Sequence, residues 1–306
     1  MTISNLVTPV QHLVPAPDVP SAARCHGLRA AFVVTLGVLT WSISQSVTAQ
    51  TPGSAQAITY ASGGAMIDAI IAKPAGAGKN PAVVIIHDDL GANQKFRDLA
   101  QQFAQAGFVA LVPNLPSRVK KPAVDEPPAR NQPPPINGLT GTQITDDLRA
   151  AVEFLQKDAA VDATKISVVG VGWGEFRAWR LAEVVPTLYR AVVFYGVIDT
   201  DDERIKTLKI PVLGHYAQYD YLATMRTLKT KHMLGDKFTY FVYPTVPGFM
   251  GGGSGNLVPG PGATGRQVLR KKDAQVAAAA AKQAWDRTVD FLKGAPPKVT
   301  AGNAPR

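Results

Sequence analysis

Cysteine is almost absent from this sequence. Cys25 is the only one among 306 residues, and it lies in an N-terminal segment that we expect to be removed. The remaining chain then has no thiol, which excludes a disulfide framework, a cysteine nucleophile and a cysteine-based zinc site. Histidine is also scarce, with five in the whole chain. The sequence predicts neither a metal nor a cofactor.

The chain also lacks any long run of charge of one sign. The net charge is +9 and the pI is near 9.6, but the basic residues are scattered apart from short groups such as Lys120–Lys121 and Arg270–Lys272. This pattern favours a basic surface over a nucleic-acid site, and no nucleic-acid-binding motif is present. The apolar content of 46% and the charged content of 18% indicate a globular protein.

The first 49 residues have the layout of a secretory signal peptide. Arg24 and Arg29 precede the apolar run Ala30–Trp41, and Val47–Ala49 fits a small-residue cleavage site. An uncleaved membrane anchor is the alternative, although the apolar core is short for a span of about 20 residues. We therefore predict a signal peptide at 1–49 and an exported protein, periplasmic or secreted, which is membrane-anchored only if this segment is retained.

Apolar runs alternate with amphipathic stretches from Ile58 onward. Pro81–His87 is continuously apolar, as expected of a central parallel strand, and Gln94–Ala106 has its apolar residues at helical spacing. This alternation predicts an α/β fold with a doubly wound, mostly parallel sheet and helices on both faces. Two strands are predicted within 58–74, further strands at 108–113, 165–171, 190–195, 210–216 and 238–243, and further helices at 145–156 and 274–292.

Three segments fall outside this pattern. We interpret 50–57 as a linker and 294–306 as a disordered tail. Residues 115–141 are rich in proline and have no periodicity, which predicts an insertion. It is either a surface excursion near the mouth of a site or an insertion without a role. The following helix is predicted to have Thr145 as its cap.

The stretch Ile166–Gly174 reads as a strand followed by a glycine turn and a helix. That is the layout of a nucleophile elbow, G-x-S-x-G, in which the central residue attacks the substrate. The outer glycines are present as Gly170 and Gly174, but the central position is Gly172. Glycine has no side chain that could act as a nucleophile.

Four stretches make the chain from Ile58 to Lys293 resemble the dienelactone hydrolase family of α/β-hydrolases. These are ValIleIleHisAspAspLeuGly at 84–91, SerValValGlyValGlyTrpGly at 167–174, IleProValLeuGlyHisTyrAlaGlnTyrAsp at 210–220, and TyrProThrValProGlyPhe at 243–249. They are similar to the family's oxyanion strand, its elbow, the strand that delivers the catalytic acid, and the histidine loop. The resemblance implies an α/β-hydrolase fold and hydrolysis of a small ester or lactone.

The same resemblance implies a degenerate catalytic triad. The nucleophile position is Gly172 and the histidine position is Pro247, whereas the acid is present as Asp220. Hydrolysis through a triad needs a nucleophile and a base that an acid orients. Asp220 alone supplies none of these steps, so we predict weak or absent activity.

Other residues offer incomplete replacements. His87 and His215 are interpreted as structural residues, and His232 as a surface residue of a helix after Asp220. Glu175 is either a helix-terminal carboxylate favoured by the macrodipole or a capping or rim charge. A more speculative arrangement places Glu175 with His87 and Asp88 as a cluster that activates water.

The oxyanion apparatus is predicted to survive without the nucleophile. Backbone N–H groups after Gly172 and in the loop Asp88, Asp89 and Leu90 are expected to converge on one point, with Trp173 as an aromatic wall or a core residue. Such a pocket would bind a small ester, lactone or carboxylate without turnover. The alternatives are an active hydrolase with a rearranged site and a non-catalytic interaction protein of the envelope that uses 115–141.

Overall fold

The computed structural model describes residues 53–119, 135–195, 203–251 and 271–296. The predicted signal peptide, residues 50–52 of the predicted linker and most of the predicted tail therefore lie outside the described residues. No helix in these ranges is long and apolar enough to cross a membrane.

One sheet of eight strands organises the described domain. Its strands are β1 Ala55–Ser62, β2 Ala65–Ala72, β3 Asn80–Ile86, β4 Val109–Pro113, β5 Val161–Val171, β6 Ala191–Phe194, β7 Val212–Ala217 and β8 Phe238–Tyr243. The strand order is β1-β2-β4-β3-β5-β6-β7-β8. The pairs β1–β2 and β2–β4 are antiparallel, and all the others are parallel. The mostly parallel sheet is confirmed, with β5 at its centre.

Five helices cover both faces of this sheet. They are α1 Gln94–Gln105, α2 Gly141–Gln156, α3 Trp173–Val184, α4 Tyr221–Leu234 and α5 Lys271–Leu292. Buried side chains of α2, α3 and α4 share one apolar core with one face of the sheet, and those of α1 and α5 share a second core with the other face. The helices therefore divide three against two, as in a doubly wound fold.

Several predicted boundaries need correction. Strand β1 begins at Ala55, so the linker predicted to reach residue 57 ends earlier. Helix α2 begins at Gly141, and its cap is Thr140 rather than Thr145. The Thr140 side chain accepts from Gln143 N at 3.2 Å, while the Gln143 side chain accepts from Thr140 N at 2.9 Å. This reciprocal capping box was visible in the sequence as Thr-x-x-Gln.

The two ends of the predicted insertion at 115–141 pack onto the domain. Short 3-10 helices span Leu115–Arg118 and Pro135–Gly138, and both Leu115 and Ile136 are buried. Arg118 anchors the first of them, because its guanidinium bonds the fully buried carboxylate of Asp147 on α2 at 2.8 Å. Residues 120–134 lie outside the described part of the chain.

Candidate functional site

The turn between β5 and α3 has the backbone of a nucleophile elbow. Gly172 has φ 58° and ψ −115°, and it is the N-cap residue of α3. Its N–H donates to Phe194 O at 3.1 Å, and its carbonyl accepts from Glu175 N at 3.0 Å. These two bonds hold the turn between the neighbouring strand and the first turn of the helix.

The outer glycines of the motif are required by close packing. A Cβ atom on Gly170 would lie 2.4 Å from Gly174 O, and one on Gly174 would lie 2.3 Å from Ile86 O. Real side chains do not reach such distances, so the first turn of α3 can approach β5 and β3 only with glycine at both positions. These two glycines serve the packing of the elbow whatever residue occupies its centre.

The central position has room for a side chain that it does not carry. A Cβ atom on Gly172 would meet Asp88 Cβ at 3.6 Å and Tyr195 Cε2 at 4.0 Å, which are ordinary contact distances. Space for a small side chain or ligand atom therefore remains above the elbow. The positive φ would strain any residue other than glycine there.

Tyr195 lines this space, and its role there was not predicted from the sequence. It follows β6, the neighbour of β5 in the sheet, and it is the only non-glycine residue with positive φ among the described residues, at 25°. Its ring lies 5.5 Å from that of Phe249, and burial raises the pKa of its phenol. Its position at the carboxyl end of a parallel strand next to the elbow was the available signal.

Asp88 borders the elbow on the opposite side. Its Oδ2 atom lies 3.3 Å from Lys95 Nζ, and its Oδ1 atom accepts from Leu90 N at 3.1 Å. The Leu90 N–H group therefore bonds Asp88 instead of pointing to an incoming oxyanion. Asp89 and Leu90 are exposed on the loop. Of the predicted loop residues, Asp88 is the one in contact distance of the elbow centre.

Both ring nitrogens of His87 form hydrogen bonds within the local structure. Its Nδ1–H donates to Asp88 O at 2.5 Å, and its Nε2 accepts from Leu115 N at 3.3 Å. The ring stacks on Trp173 with centroids 6.2 Å apart, and burial lowers its pKa. The imidazole is neutral and both nitrogens are occupied, so it positions the loop and the start of α3.

Asp220 and Pro247 lie on neighbouring loops. Asp220 is the N-cap residue of α4 and accepts from Ala223 N at 3.1 Å. The adjacent Tyr219 N donates to Thr245 O at 3.4 Å, which joins this loop to the one that carries Pro247. Pro247 is exposed, and Phe249, two residues later, is buried against Tyr195. Gly172, Asp220 and Pro247 thus lie on the loops that follow the carboxyl ends of β5, β7 and β8.

Glu175 faces away from the proposed water-activating cluster. Its Oε1 accepts from Trp179 Nε1 at 2.7 Å, and its Oε2 is buried without a hydrogen-bond partner. Burial raises the pKa of this carboxyl to about 8, with Trp179 and then Arg226 opposing the rise. Tyr216 lies within its electrostatic reach. Glu175 therefore belongs to the interior between α3, β7 and α4, and not to a group with His87 and Asp88.

His215 is the centre of a second buried network. Its Nδ1 pairs with the Tyr243 hydroxyl at 2.9 Å, and its Nε2 pairs with Thr288 Oγ1 at 3.1 Å. Arg287 donates to the same hydroxyl at 2.9 Å and covers the ring of Phe241. Burial, followed by the Arg287 charge, lowers the His215 pKa to about 3. This network joins α5 to β7 and β8.

His232 is exposed on α4.

The sheet order and the elbow define an α/β-hydrolase fold. Residues 67–295 match the model of the dienelactone hydrolase family, which is three quarters of the chain, and the protein belongs to that family. The resemblance inferred from the four sequence stretches is thereby confirmed.

Similar proteins fit this assignment. A protein of Methylorubrum extorquens AM1 that carries the name carboxymethylenebutenolidase is 26% identical over 192 residues, covering 58% of this chain and 66% of its own. A Bradyrhizobium protein named as a 2-oxo-3-(5-oxofuran-2-ylidene)propanoate lactonase is 30% identical over 162 residues, covering 50% and 64%. The chain thus spans just under two thirds of the length of these two relatives.

A solved structure shows the same fold at low identity. A dienelactone hydrolase-like promiscuous phosphotriesterase from metagenomic libraries superposes with a TM-score of 0.63 and 18% identity. The match covers 78% of this chain and 97% of the other.

Proposed function

We propose that this protein is an exported, non-hydrolytic member of its family that binds a small ester, lactone or carboxylate at the elbow. The observation that carries the proposal is Gly172, which keeps the elbow backbone but offers no nucleophile. The space above it supports a role in which a ligand atom takes the place of the missing side chain.

The surroundings of the elbow support binding without turnover. Pro247 has no basic group, and both nitrogens of His87 are already bonded. The first N–H groups of a helix have no intrahelical partner, and the helix dipole favours negative charge there. The start of α3 can therefore bind a carbonyl or carboxylate oxygen, although no side chain is in place to attack the ligand. The Bradyrhizobium relative is named for a lactone that carries a carboxylate, which agrees with this ligand class.

The test is a hydrolysis assay with a matched pair of double variants. We expect the unmodified protein to show neither a burst nor turnover with p-nitrophenyl acetate or γ-butyrolactone. The double variant Gly172→Ser with Pro247→His is expected to recover part of the esterase activity, because it returns a nucleophile and a base to loops that still meet. Gly172→Ala with Pro247→His is the control, since it carries the same backbone strain and no hydroxyl.

Two results would contradict this proposal. Turnover by the unmodified protein that is lost in Asp220→Ala would show a working hydrolase. A folded Ser/His double variant no more active than its alanine control would show that the loops no longer present the two positions to each other.

A hydrolase with a rearranged site is the second candidate, and Asp88 is the residue that favours it. Its Cβ lies 3.6 Å from the place of a Gly172 side chain, so its carboxylate is near the point where a water could attack a bound carbonyl. In that reaction Asp88 would remove the proton from the water as general base. Asp88→Asn would then abolish turnover, and a turnover unchanged in that variant would exclude this role.

Export is tested separately with a reporter fusion. A fusion that becomes active outside the cytoplasm, and that loses activity when Arg24, Arg29 and the apolar run 30–41 are replaced, is the expected result. A reporter signal that stays cytoplasmic with the natural segment would refute export.

A further inference from the structure

Arg177 on α3 is a half-buried cation that stacks on aromatic rings. Its guanidinium carbon lies 4.7 Å from the centre of the Trp173 ring and 5.4 Å from that of Phe176. Trp173 directly follows the elbow residue, and its ring also stacks with that of His87. The guanidinium is therefore fixed over a ring that belongs to the candidate site.

No carboxylate pairs with Arg177 among the residues that the structure describes. Its Nε is buried and has no hydrogen-bond partner. The charge that acts on it most is that of Arg180, a second cation, and burial together with this charge lowers the pKa of Arg177. Three other cations of the described residues are paired: Lys95 with Asp88, Arg118 with Asp147, and Arg180 with Glu183.

An unpaired, half-buried guanidinium is costly to the folded state. Buried polar groups are normally hydrogen-bonded, and a charged one loses hydration without recovering it. Stacking on Trp173 orients the guanidinium but gives its buried Nε–H no acceptor. A planar group with parallel N–H donors matches a carboxylate in two simultaneous hydrogen bonds. The arrangement thus fits an anion that no residue in the described part of the chain provides.

The Arg177 guanidinium lies near the N-terminal end of α3, which begins at the elbow. Nη1 of Arg177 lies 3.9 Å from the place of a Cβ atom on Gly141, the first residue of α2. The guanidinium is therefore close to the N-terminal ends of both α2 and α3, where dipoles favour negative charge. Arg177 lies five positions after Gly172, a rise of about 7.5 Å along the helix axis. A ligand of a few carbon atoms can span that distance.

We propose that Arg177 binds the carboxylate of a small oxo acid or lactone acid whose carbonyl oxygen lies at the elbow. This proposal rests on the proposed binding function and adds the residue that selects an anionic ligand. Arg177 is a specificity-determining residue in this arrangement, and it takes no part in bond cleavage.

The experiment compares a charged probe with its neutral isostere. 4-Oxopentanoate and 4-oxopentanamide have the same ketone and chain, but only the first has a carboxylate. Both are titrated into the full-length protein, and binding is followed through the indole N–H signals of tryptophan by NMR. We expect 4-oxopentanoate to bind more tightly and to shift the Trp173 signal.

Substitutions then assign the difference to one side chain. In Arg177→Gln we expect 4-oxopentanoate to bind at least about tenfold more weakly, as for the loss of a charged hydrogen bond, and 4-oxopentanamide to bind as before. Arg177→Lys keeps the positive charge but loses the parallel pair of N–H donors. Its affinity for 4-oxopentanoate should lie between those of the natural protein and Arg177→Gln. Arg149→Gln is the control, because it removes one exposed arginine of α2 and the same net charge.

Each outcome decides the proposal. Equal affinity of the Arg177→Gln variant and the natural protein for 4-oxopentanoate would overturn it, as would equal loss in Arg149→Gln or no binding of 4-oxopentanoate by the natural protein. Equal binding of the two probes by the natural protein would also overturn it while leaving a neutral site at the elbow. Hydrolysis of p-nitrophenyl acetate would instead refute the non-hydrolytic function, and the Arg177-dependent affinity would still be measured by inhibition with 4-oxopentanoate.

Discussion

Replacing Glu175 by glutamine should make the protein more stable at high pH and less stable at low pH. The carboxyl is completely buried, and its Oε2 has no hydrogen-bond partner. Glutamine keeps an oxygen that can accept from Trp179, but it cannot ionise. The variant therefore removes the pH-dependent part of the free energy of unfolding that this carboxyl contributes.

The sign and size follow from the pKa of Glu175. Its folded value is about 8 and its reference value is 4.5. Below pH 4.5 both states are protonated and the carboxyl has no pH-dependent effect. Between these values only the unfolded state ionises, so stability falls by about 1.4 kcal/mol per pH unit and reaches a loss of up to about 5 kcal/mol at pH 8. Relaxation and water entry reduce that loss, and we expect about 2–5 kcal/mol.

The glutamine amide carries a penalty of its own. Its N–H₂ group occupies the place of the unpartnered Oε2, which costs about 1–3 kcal/mol at every pH. The variant should then be less stable than the natural protein at pH 5 and more stable at pH 8. The two stability curves are expected to cross between these values.

The measurement is equilibrium unfolding in urea at half-unit steps from pH 5 to pH 8. Subtracting the unfolding free energy of one protein from that of the other cancels the contributions of His87 and His215, because both proteins contain these residues. Glu153→Gln on the exposed side of α2 is the control. A stability difference between Glu175→Gln and the natural protein that stays constant over this range would refute the argument.

The remaining predictions concern the elbow and its supports. Gly174→Ala should prevent folding or lower the melting temperature sharply, because its Cβ would lie 2.3 Å from a backbone oxygen. Gly172→Ala should lose only about 1–3 kcal/mol of unfolding free energy, because its positive φ strains the alanine. Comparable losses in the two variants would contradict the packing argument. Arg118→Met should lower the free energy of unfolding by about 3–5 kcal/mol, since Asp147 stays buried without its partner, and a loss below 1 kcal/mol measured in urea would show that the pair is not needed. Thr140→Ala should lose about 1 kcal/mol through the cap, checked by thermal unfolding and absent in Thr145→Ala if Thr140 alone caps the helix.

Much of the fold was predictable because several of its parallel strands are buried on both faces. Such strands read as continuous apolar runs, and β3 at Asn80–Ile86 was predicted within a residue at each end. Helix α2 was placed too late, since its first turn is polar and gives no apolar period. Its capping box supplied the missing information. Strand β5 extends back to Val161 through exposed, polar residues that carry no strand period.

The candidate site was predictable only in part. Gly172, Asp220 and Pro247 could be located by motif, because their positions depend on order along the chain. Arg177 could not, because its place beside Gly141 depends on a contact between α2 and α3, and Tyr195 was indicated only by its position at the end of β6. The hydrogen-bond partner of the Leu90 N–H group also depends on the side-chain rotamer of Asp88, which no sequence pattern specifies.

The network around His215 has a consequence for how the chain is made. The ring of His215 and the phenol of Tyr243 lie on β7 and β8. Their partners Thr288 and Arg287 are on α5 and are synthesised about 45 residues after β8 ends. A nascent chain that lacks this helix has completed the parallel sheet, but His215 Nε2 has no Thr288 partner and the apolar face that α5 covers is still open. That face of the sheet is therefore buried only once α5 has packed against it.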